Sequence, residues 1–432
     1  EVDVYNPVTG QQELNRVADP WAYMSSEDGR RSQVVNLSKP EYKPAGWDQL
    51  VKPKLESTLD SVLYEAHVRE LTLQDTGVPT NLRGTYVGIT APNSVARGHL
   101  LKLANAGVTH IHLLPIHDFV SVRENKTTWQ DVSALQKIMP DLRGREEPQR
   151  QIGLIRKEDG WNWGYDPVHF FILDGSYATR PENRILEVRK MVKEFNSLGL
   201  RVVMDLVFNH TFAAEQDSIL DQLVPGYFYR RGFDGRVKNS SCCADTASEN
   251  KMFEKLMIDS IVHWAKDYKV DGFRFDLMNL HTRGNLEKIR KALDDLDLES
   301  DGVDGKKIIL YGEGWNFGSL LDKNPSEAMT QQNAYGSRIA TFNDRMRDAL
   351  RGGSNSEFSD QGFVTGLYYD FNREPANRDT PWDMGQQLNR LNFYGDVVRI
   401  GMAGNLRDYE FEDFLGHRIR AGNHYFRGSP TG

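Results

Sequence analysis

An arginine and a carboxylate stand two residues apart in the segment Asp271-Gly-Phe-Arg-Phe-Asp276, which has the pattern of a short buried strand. Successive side chains of a strand point to opposite faces, so Arg274 and Asp276 share one face and the two phenylalanines share the other. A fixed guanidinium favours the ionised form of a neighbouring acid. Asp276 is therefore a candidate nucleophile whose pKa Arg274 is expected to hold low.

Glu313 is the second candidate acid. It follows the apolar run 308–310 within Tyr311-Gly-Glu-Gly-Trp315. Two carboxylates on neighbouring strand ends are typical of glycoside hydrolysis, in which one acid attacks the sugar and the other transfers the proton. The proton donor must be protonated in the first step and ionised in the second, so the pKa of Glu313 is expected to lie above that of Asp276.

Two further segments carry polar or aromatic groups at predicted strand ends. In the stretch 202–211 a strand ends at Asp205, and the following loop supplies Asn209 and His210, which could orient sugar hydroxyls. A lone buried His and Asp more often satisfy loop backbone, but their coincidence with the other polar strand ends favours a site. In Trp161-Asn-Trp-Gly-Tyr-Asp-Pro167, a Tyr could stack on a pyranose ring, or the segment could be a tight turn packed on the rim.

These residues lie at the ends of strands that alternate with amphipathic helices. Helices are predicted from Ile185 to Phe195, with Gly199 ending the helix, and over 249–268 and 285–296. Strands are predicted at 62–67, 109–114, 201–205, 272–276, 308–313 and 339–342. Six such units without a glycine-rich nucleotide turn predict an α/β fold, a (β/α)8 TIM barrel that is C-terminally truncated in this chain, with its chemistry at the carboxyl ends of the strands.

Composition excludes some function classes. The 432 residues carry a formal net charge of −8 without a basic stripe, so a nucleic-acid partner is not expected. No apolar run approaches the length of a membrane span. The two cysteines are adjacent, Cys242-Cys243, and either a vicinal disulfide or two free thiols fits. His110 and His112 are interpreted as hydrogen-bonded rather than as metal ligands, and a structural calcium stays open because acidic loops are plentiful.

The first residues differ from the rest. Residues 1–58 are rich in prolines and short alternating stretches, which predicts the C-terminal part of a β-sandwich plus a linker. Residues 59–432 are predicted to form the catalytic barrel, incomplete with about six units. The charged stretch Arg143 to Arg150 is predicted to be a solvated surface insertion.

Taken together, these segments resemble the α-amylase superfamily of glycoside hydrolases and, within it, the type I pullulanase and limit dextrinase branch. The resemblance is carried by 162–167, 109–115, the cysteine pair with 244–247, and 268–277, and the stretches 18–20 and 31–35 resemble the end of a starch-binding-type β-sandwich. It implies retaining cleavage of α-1,6-glucosidic branch linkages in pullulan, limit dextrins and related α-glucans, with no required cofactor. The roles that it implies are nucleophile for Asp276, acid/base for Glu313, partner of the nucleophile for Arg274, stacking platform for Tyr165, sugar contact for His210, aromatic wall for Trp315, and supporting positions for Asp205, Asn209, Asp166 and Leu277.

One departure bears on activity. The family uses a third carboxylate, an Asp that follows a His, but after Glu313 the only histidines are His417 and His424, followed by Arg and Tyr. We therefore expect the chain to be a fragment, inactive when isolated, with the third carboxylate outside it. The alternatives are a branching or transglycosylating relative and a non-catalytic glucan-binding protein on a decayed barrel. A secreted or cell-surface setting is expected because polymeric glucans are met outside cells; no signal peptide is visible, and the sequence leaves the oligomeric state open.

Overall fold

The chain divides into two compact units, residues 1–340 and 341–432, and the first contains the first five strands of a six-stranded sheet. The computed structural model describes residues 1–130, 146–372 and 378–432. The sheet strands, labelled in chain order, are β1 Leu63–Ala66, β2 His110–Leu113, β3 Arg201–Leu206, β4 Gly272–Phe275, β5 Ile309–Gly312 and β6 Ala340–Thr341. All six predicted strands are confirmed, each with ends within one residue of the expected position.

The strands are arranged in the sheet in their chain order, from β1 to β6. The pairs from β1 to β5 are parallel, and their register places Asp205 opposite Arg274 and Arg274 opposite Tyr311. A doubly wound sheet would reverse its strand order at a switch point, whereas a barrel keeps one direction of winding. The sheet therefore has the topology of a (β/α)8 barrel, as predicted.

Helices connect the strands where the apolar periodicity places them. The predicted end at Gly199 is confirmed: this glycine has φ +89°, and the amide of Leu200 donates to the carbonyl of Phe195 at 2.9 Å, which closes the last helical turn. The described α-helices are Val68–Thr72, Val95–Asn105, Glu147–Ile155, Arg184–Ser197, Ile219–Leu223, Lys251–Asp267, Arg283–Asp294, Ser319–Lys323, Asp344–Arg351 and Met384–Met402. None of them combines the length and apolar character needed to cross a membrane.

The core lies on the side of β4 that carries its phenylalanines. Phe273 and Phe275 are both fully buried in one apolar cluster, which also takes in Met204, Leu206 and Trp264. Burial of each such side chain stabilises the fold by roughly 1.5–3 kcal/mol. Because side chains alternate along the strand, this packing directs the two polar residues of the segment to the opposite face.

Residues 1–58 begin with an antiparallel hairpin of Val2–Asn6 and Gln11–Asn15. The segment that follows is tied to the barrel by the buried Arg189, which donates to the carbonyls of Leu37 and Tyr42 at 2.9 and 3.1 Å. These residues belong to the same compact unit as the sheet. The β-sandwich assignment of 1–58 stays a prediction.

The second unit, Thr341–Gly432, has its own small core. The helices Asp344–Arg351 and Met384–Met402 bury Ala349, Leu391 and Val397 in it. Two short hairpins follow, Glu410–Glu412 with Arg418–Arg420 and Tyr425–Phe426 with Ser429–Pro430. The predicted barrel range of 59–432 includes this unit, and its extent stays a prediction. Of the charged stretch from 143 to 150, residues 143–145 lie outside the described residues.

Candidate active site

Arg274 contacts three carboxylates at the carboxyl ends of the strands. Its Nη1 lies 2.8 Å from Asp276 Oδ1 and 2.9 Å from Asp205 Oδ1, and its Nη2 lies 3.0 Å from Glu313 Oε1. Arg274 belongs to β4, Asp205 is its register partner on β3, and Glu313 directly follows β5. The two predicted catalytic acids are thus held by different nitrogens of one guanidinium.

The electrostatics of Asp276 differ from the expectation. Burial raises the pKa of Asp276 to about 7, and the negative charges of Asp205 and Glu313 raise it as well, against the lowering effect of Arg274. One guanidinium shared among three acids does not compensate for the desolvation of Asp276. The expectation that Arg274 holds this pKa low is therefore wrong.

Asp205 joins the arginine to the aromatic side of the site. Its Oδ2 accepts from the hydroxyl of Tyr165 at 2.7 Å and lies 3.3 Å from His112 Nε2. Burial alone would raise the pKa of Asp205, but the charge of Arg274 and these hydrogen bonds lower it below its usual value. Asp205 is therefore held ionised. The contact between Asp205 and His112 was not predicted from the sequence. A usable signal was present, because the two residues lie on the same face of the neighbouring strands β3 and β2.

Tyr165 faces the arginine. Its ring centroid lies 5.7 Å from the guanidinium carbon of Arg274, a cation–π geometry. Its carbonyl oxygen is 2.7 Å from His210 Nε2, so this nitrogen carries the proton, and His210 Nδ1 accepts from the side-chain Nδ2 of Asn209 at 2.9 Å. Burial lowers the pKa of His210, which keeps the ring neutral. Its buried Nε2–H is thus used to hold the loop that carries Tyr165.

Hydrogen bonds from His67 and Tyr177 fix the loop that precedes Tyr165. His67 Nδ1 accepts from two backbone amides, so its Nε2 carries the proton and donates to the carbonyl of Asn162 at 2.8 Å. The hydroxyl of Tyr177 donates to Asn162 Oδ1, also at 2.8 Å. Gly164 has φ +82°, and a Cβ there would lie 2.8 Å from the carbonyl oxygen of Pro115. The predicted tight turn is therefore present, and it positions the tyrosine.

Leu277 has a strained backbone next to the candidate nucleophile. Its φ of +38° lies in the left-handed region, which disfavours a branched residue. This conformation directs its amide to Glu313 Oε2 at 3.1 Å, while Arg274 takes the other carboxylate oxygen. Strain of this kind persists where a site over-determines the chain. Leu277 therefore holds Glu313 through its backbone.

The adjacent cysteines form a disulfide, which settles the open alternative. They lie within the connection from β3 to β4, directly before the short strand Ala244–Asp245, which pairs with His210–Thr211. Cys242 Sγ lies 3.8 Å from His210 Nε2. The ligand atoms of His210, Cys242 and Cys243 lie within 4.8 Å of one another, but sulfurs joined in a disulfide are not thiolate ligands.

Asp166 and Trp315 are the remaining predicted sugar-binding residues, and His110 is the remaining histidine interpreted as hydrogen-bonded. Asp166 follows Tyr165 and is half-buried, and burial raises its pKa. Trp315 stands two residues beyond Glu313 and is also half-buried. His110 contacts the hydroxyl of Thr109 at 2.7 Å, which agrees with the hydrogen-bonding interpretation.

Three buried carboxylates elsewhere in the first unit have ligand atoms within 4.8 Å of one another: Asp118, Glu124 and Asp174. Asp118 Oδ2 lies 2.6 Å from His169 Nδ1, and Glu124 Oε2 lies 2.7 Å from Arg184 Nη2. Two of these acids are thus already paired with basic groups of the protein. A structural calcium stays a prediction.

Known proteins resemble this chain over nearly its whole length. No protein-family model matches the chain. "Pullulanase 1, chloroplastic" of Arabidopsis thaliana is 41% identical over 430 residues, which cover 97% of this chain and 44% of that protein. Pullulanase of Klebsiella aerogenes is 35% identical, over 99% of this chain and 42% of that protein. The chain belongs to the pullulanase family.

Solved pullulanase structures have the same fold. The maltotriose complex of PulA from Klebsiella pneumoniae matches with a TM-score of 0.89 and 34% identity, covering 100% of this chain and 49% of that one. Apo pullulanase from Paenibacillus barengoltzii matches with a TM-score of 0.67 and 31% identity, over 83% and 49% of the two chains. This confirms the predicted barrel fold. The chain spans less than half the length of the two pullulanase sequences described above.

Proposed function

We propose that this pullulanase-family protein is a retaining glycoside hydrolase of α-1,6-glucosidic branch linkages in pullulan, limit dextrins and related α-glucans. The observation that supports it most is the guanidinium of Arg274 between Asp276 and Glu313, at 2.8 and 3.0 Å. Retention requires two acids close together, about 5 Å apart, so that one can reach the anomeric carbon and the other the glycosidic oxygen. A shared guanidinium keeps two acids at close range.

The reaction is a double displacement. A carboxylate oxygen of Asp276 bonds to the anomeric carbon while the carboxyl proton of Glu313 moves to the glycosidic oxygen, and the C–O bond breaks. The Glu313 carboxylate then takes a proton from water, the water oxygen bonds to the anomeric carbon, and Asp276 leaves. Two inversions give net retention.

The surrounding residues prepare these two steps. Only ionised Asp276 can attack, so its raised pKa requires deprotonation before the first step. Arg274 stabilises that negative charge, and Tyr165, fixed by its hydrogen bond to Asp205, offers a ring face for the sugar at the cleaved bond. Glu313 keeps one oxygen on the amide of Leu277, which leaves its orientation defined as the proton moves.

The α-1,6 specificity is supported by the relatives, which are named pullulanases. A transglycosylating protein would use the same two acids, with a sugar hydroxyl in place of water in the second step. Product analysis separates the two outcomes, because hydrolysis creates one reducing end for each bond lost and transfer does not. The secreted or cell-surface setting and the absence of a required cofactor stay predictions.

The test is pullulan cleavage by the full translation product of the gene, with the 432-residue chain assayed in parallel. We expect reducing ends to appear in step with the loss of α-1,6 bonds, and Asp276→Asn and Glu313→Gln each to lower kcat by at least about 1,000-fold. The exposed acids Asp295 and Glu287, changed to Asn and Gln, are the matched controls and should keep full activity. Loss of α-1,6 bonds at the wild-type rate in Asp276→Asn would contradict the proposal.

A further inference from the structure

Two neighbouring tryptophans of the Tyr165 loop lie on the surface. Trp161 is 53% exposed and Trp163 is 62% exposed, whereas Trp47 and Trp264 are buried, with exposed fractions of 3% and 0%. The two indole rings contact each other, with centroids 5.8 Å apart and planes at 58°. Large exposed aromatic groups in contact with each other are typical of binding surfaces, because a ligand that covers them removes apolar surface from water.

The backbone beneath this pair is fixed. Between the tryptophans, Asn162 is 4% exposed and is held by His67 and Tyr177. Ahead of them, the amide of Trp161 donates to Asp159 Oδ1 at 2.9 Å. The two rings therefore stand out from an ordered loop, and a ligand that covers them loses little free energy to ordering of the backbone.

The same loop enters the candidate active site. Trp163 is separated from Tyr165 by Gly164 alone, and Tyr165 contacts Arg274 and Asp205. A polymer that lies on the tyrosine at the cleaved bond can thus extend along the loop without leaving the surface. The ligand expected on the two tryptophans is therefore the substrate itself, because the substrate is the polymer that lies at the cleaved bond.

We infer that Trp161 and Trp163 form a stacking platform for α-1,4-linked glucosyl units of the substrate, beyond the unit that Tyr165 contacts. A pyranose ring offers an apolar C–H face to an indole, and an α-linked chain curves, so successive rings turn as the two indole planes do. The preceding stretch 157–159 has two acids and one base, which fits a neutral polyol better than an anionic surface. The inference rests on the proposed function for its substrate class.

The experiment measures binding without turnover. The 432-residue chain carrying Glu313→Gln is titrated with linear maltoheptaose by calorimetry, alone and with Trp161→Ala, Trp163→Ala or both. Each single change should weaken binding about 3- to 10-fold and the double change more than about 10-fold. Trp382→Ala is the matched control, since Trp382 is 62% exposed on the second unit, and it should leave the affinity unchanged.

Two results would overturn the platform. One is equal affinity in the double variant and in its Glu313→Gln parent, and the other is an absence of maltoheptaose binding by that parent. Circular dichroism and a thermal melt check that each variant keeps its fold; if Trp163→Ala unfolds, Trp163→Leu replaces it with the same criterion. Failure of the proposed hydrolysis is seen separately in the pullulan assay, because binding is scored here in a chain that lacks the acid/base.

Discussion

Arg274 belongs to β4 and Asp276 directly follows this strand, and Arg274 Nη1 lies 2.8 Å from Asp276 Oδ1. At that distance the pKa of Asp276 is nevertheless raised to about 7, because the carboxylate is buried and two more acids surround the same guanidinium. The candidate nucleophile Asp276 is thus protonated at a higher pH than an exposed aspartate would be.

Arg274→Lys should lower kcat/KM for pullulan at least about 100-fold, because a lysine ammonium cannot replace the fork that reaches Asp276, Asp205 and Glu313 together. Arg274→Met leaves three acids without their cation and should lower the free energy of unfolding by about 3–5 kcal/mol. Urea unfolding and steady-state kinetics measure both effects. Arg30→Lys, at an exposed ion pair, is the control; an Arg274→Lys protein within about threefold of wild type would contradict the bridging role.

Asp276→Asn should stabilise the protein in a pH-dependent way. The folded-state pKa is raised from 3.8 to about 7, so the wild-type protein binds an extra proton on folding and loses stability as pH rises between those values. The amide does not titrate. The free energy of unfolding of the variant should therefore rise relative to that of the wild type between about pH 4 and pH 7, by on the order of a few kcal/mol. Above pH 7 the difference should be constant. Urea unfolding from pH 5 to pH 8 tests this, with Asp295→Asn as the exposed control; a difference that does not change over this range would count against the raised pKa.

Tyr165 combines a ring and a hydroxyl, and two substitutions separate them. Tyr165→Phe keeps the ring and removes the 2.7 Å hydrogen bond to Asp205, which should lower kcat/KM for pullulan by about 10-fold. Tyr165→Ala also removes the stacking face and should lower it by at least about 100-fold. If the two variants are equally active, the ring has no role in binding the sugar.

Gly164→Ala should destabilise the loop of Tyr165 by more than the positive φ of Gly164 alone would cost. Gly164 and Gly235 have similar φ values of +82° and +77°, but a Cβ at 164 meets the carbonyl of Pro115 at 2.8 Å, whereas one at 235 meets nothing within 4 Å. Gly235→Ala should cost about 1 kcal/mol and leave activity intact, because only the φ preference opposes it. Gly164→Ala should cost at least twice as much and reduce activity. Equal melting temperatures for the two variants would show that the contact with Pro115 is relieved without consequence.

Local patterns were sufficient for the sheet and for part of the site. The short apolar runs place all six strands within one residue, and the alternation along β4 places Arg274 and Asp276 together because both facts depend only on neighbouring residues. The position of Gly199 predicts a helix end for the same reason: the last turn is closed by residues within a few positions.

Features that depend on distant residues were not accessible from the sequence. The contact of Arg274 with Asp205 needs the register between β3 and β4, whose sequence separation includes a long helix and a hairpin. The raised pKa of Asp276 sums burial and charges from three strands, so no single motif carries it. The left-handed conformation of Leu277 opposes the local preference of leucine, and only the surrounding site explains it.

The most direct measurement is the location of the covalent glycosyl intermediate. The full translation product is incubated with a fluorinated glucosyl fluoride, a donor that forms the glycosyl ester and slows its hydrolysis, and the labelled peptide is sequenced by mass spectrometry. We expect the label on Asp276, within the peptide that contains Arg274, and none in Asp276→Asn. A label on Glu313 or on another carboxylate, with Asp276 unmodified, would contradict the assignment of the nucleophile.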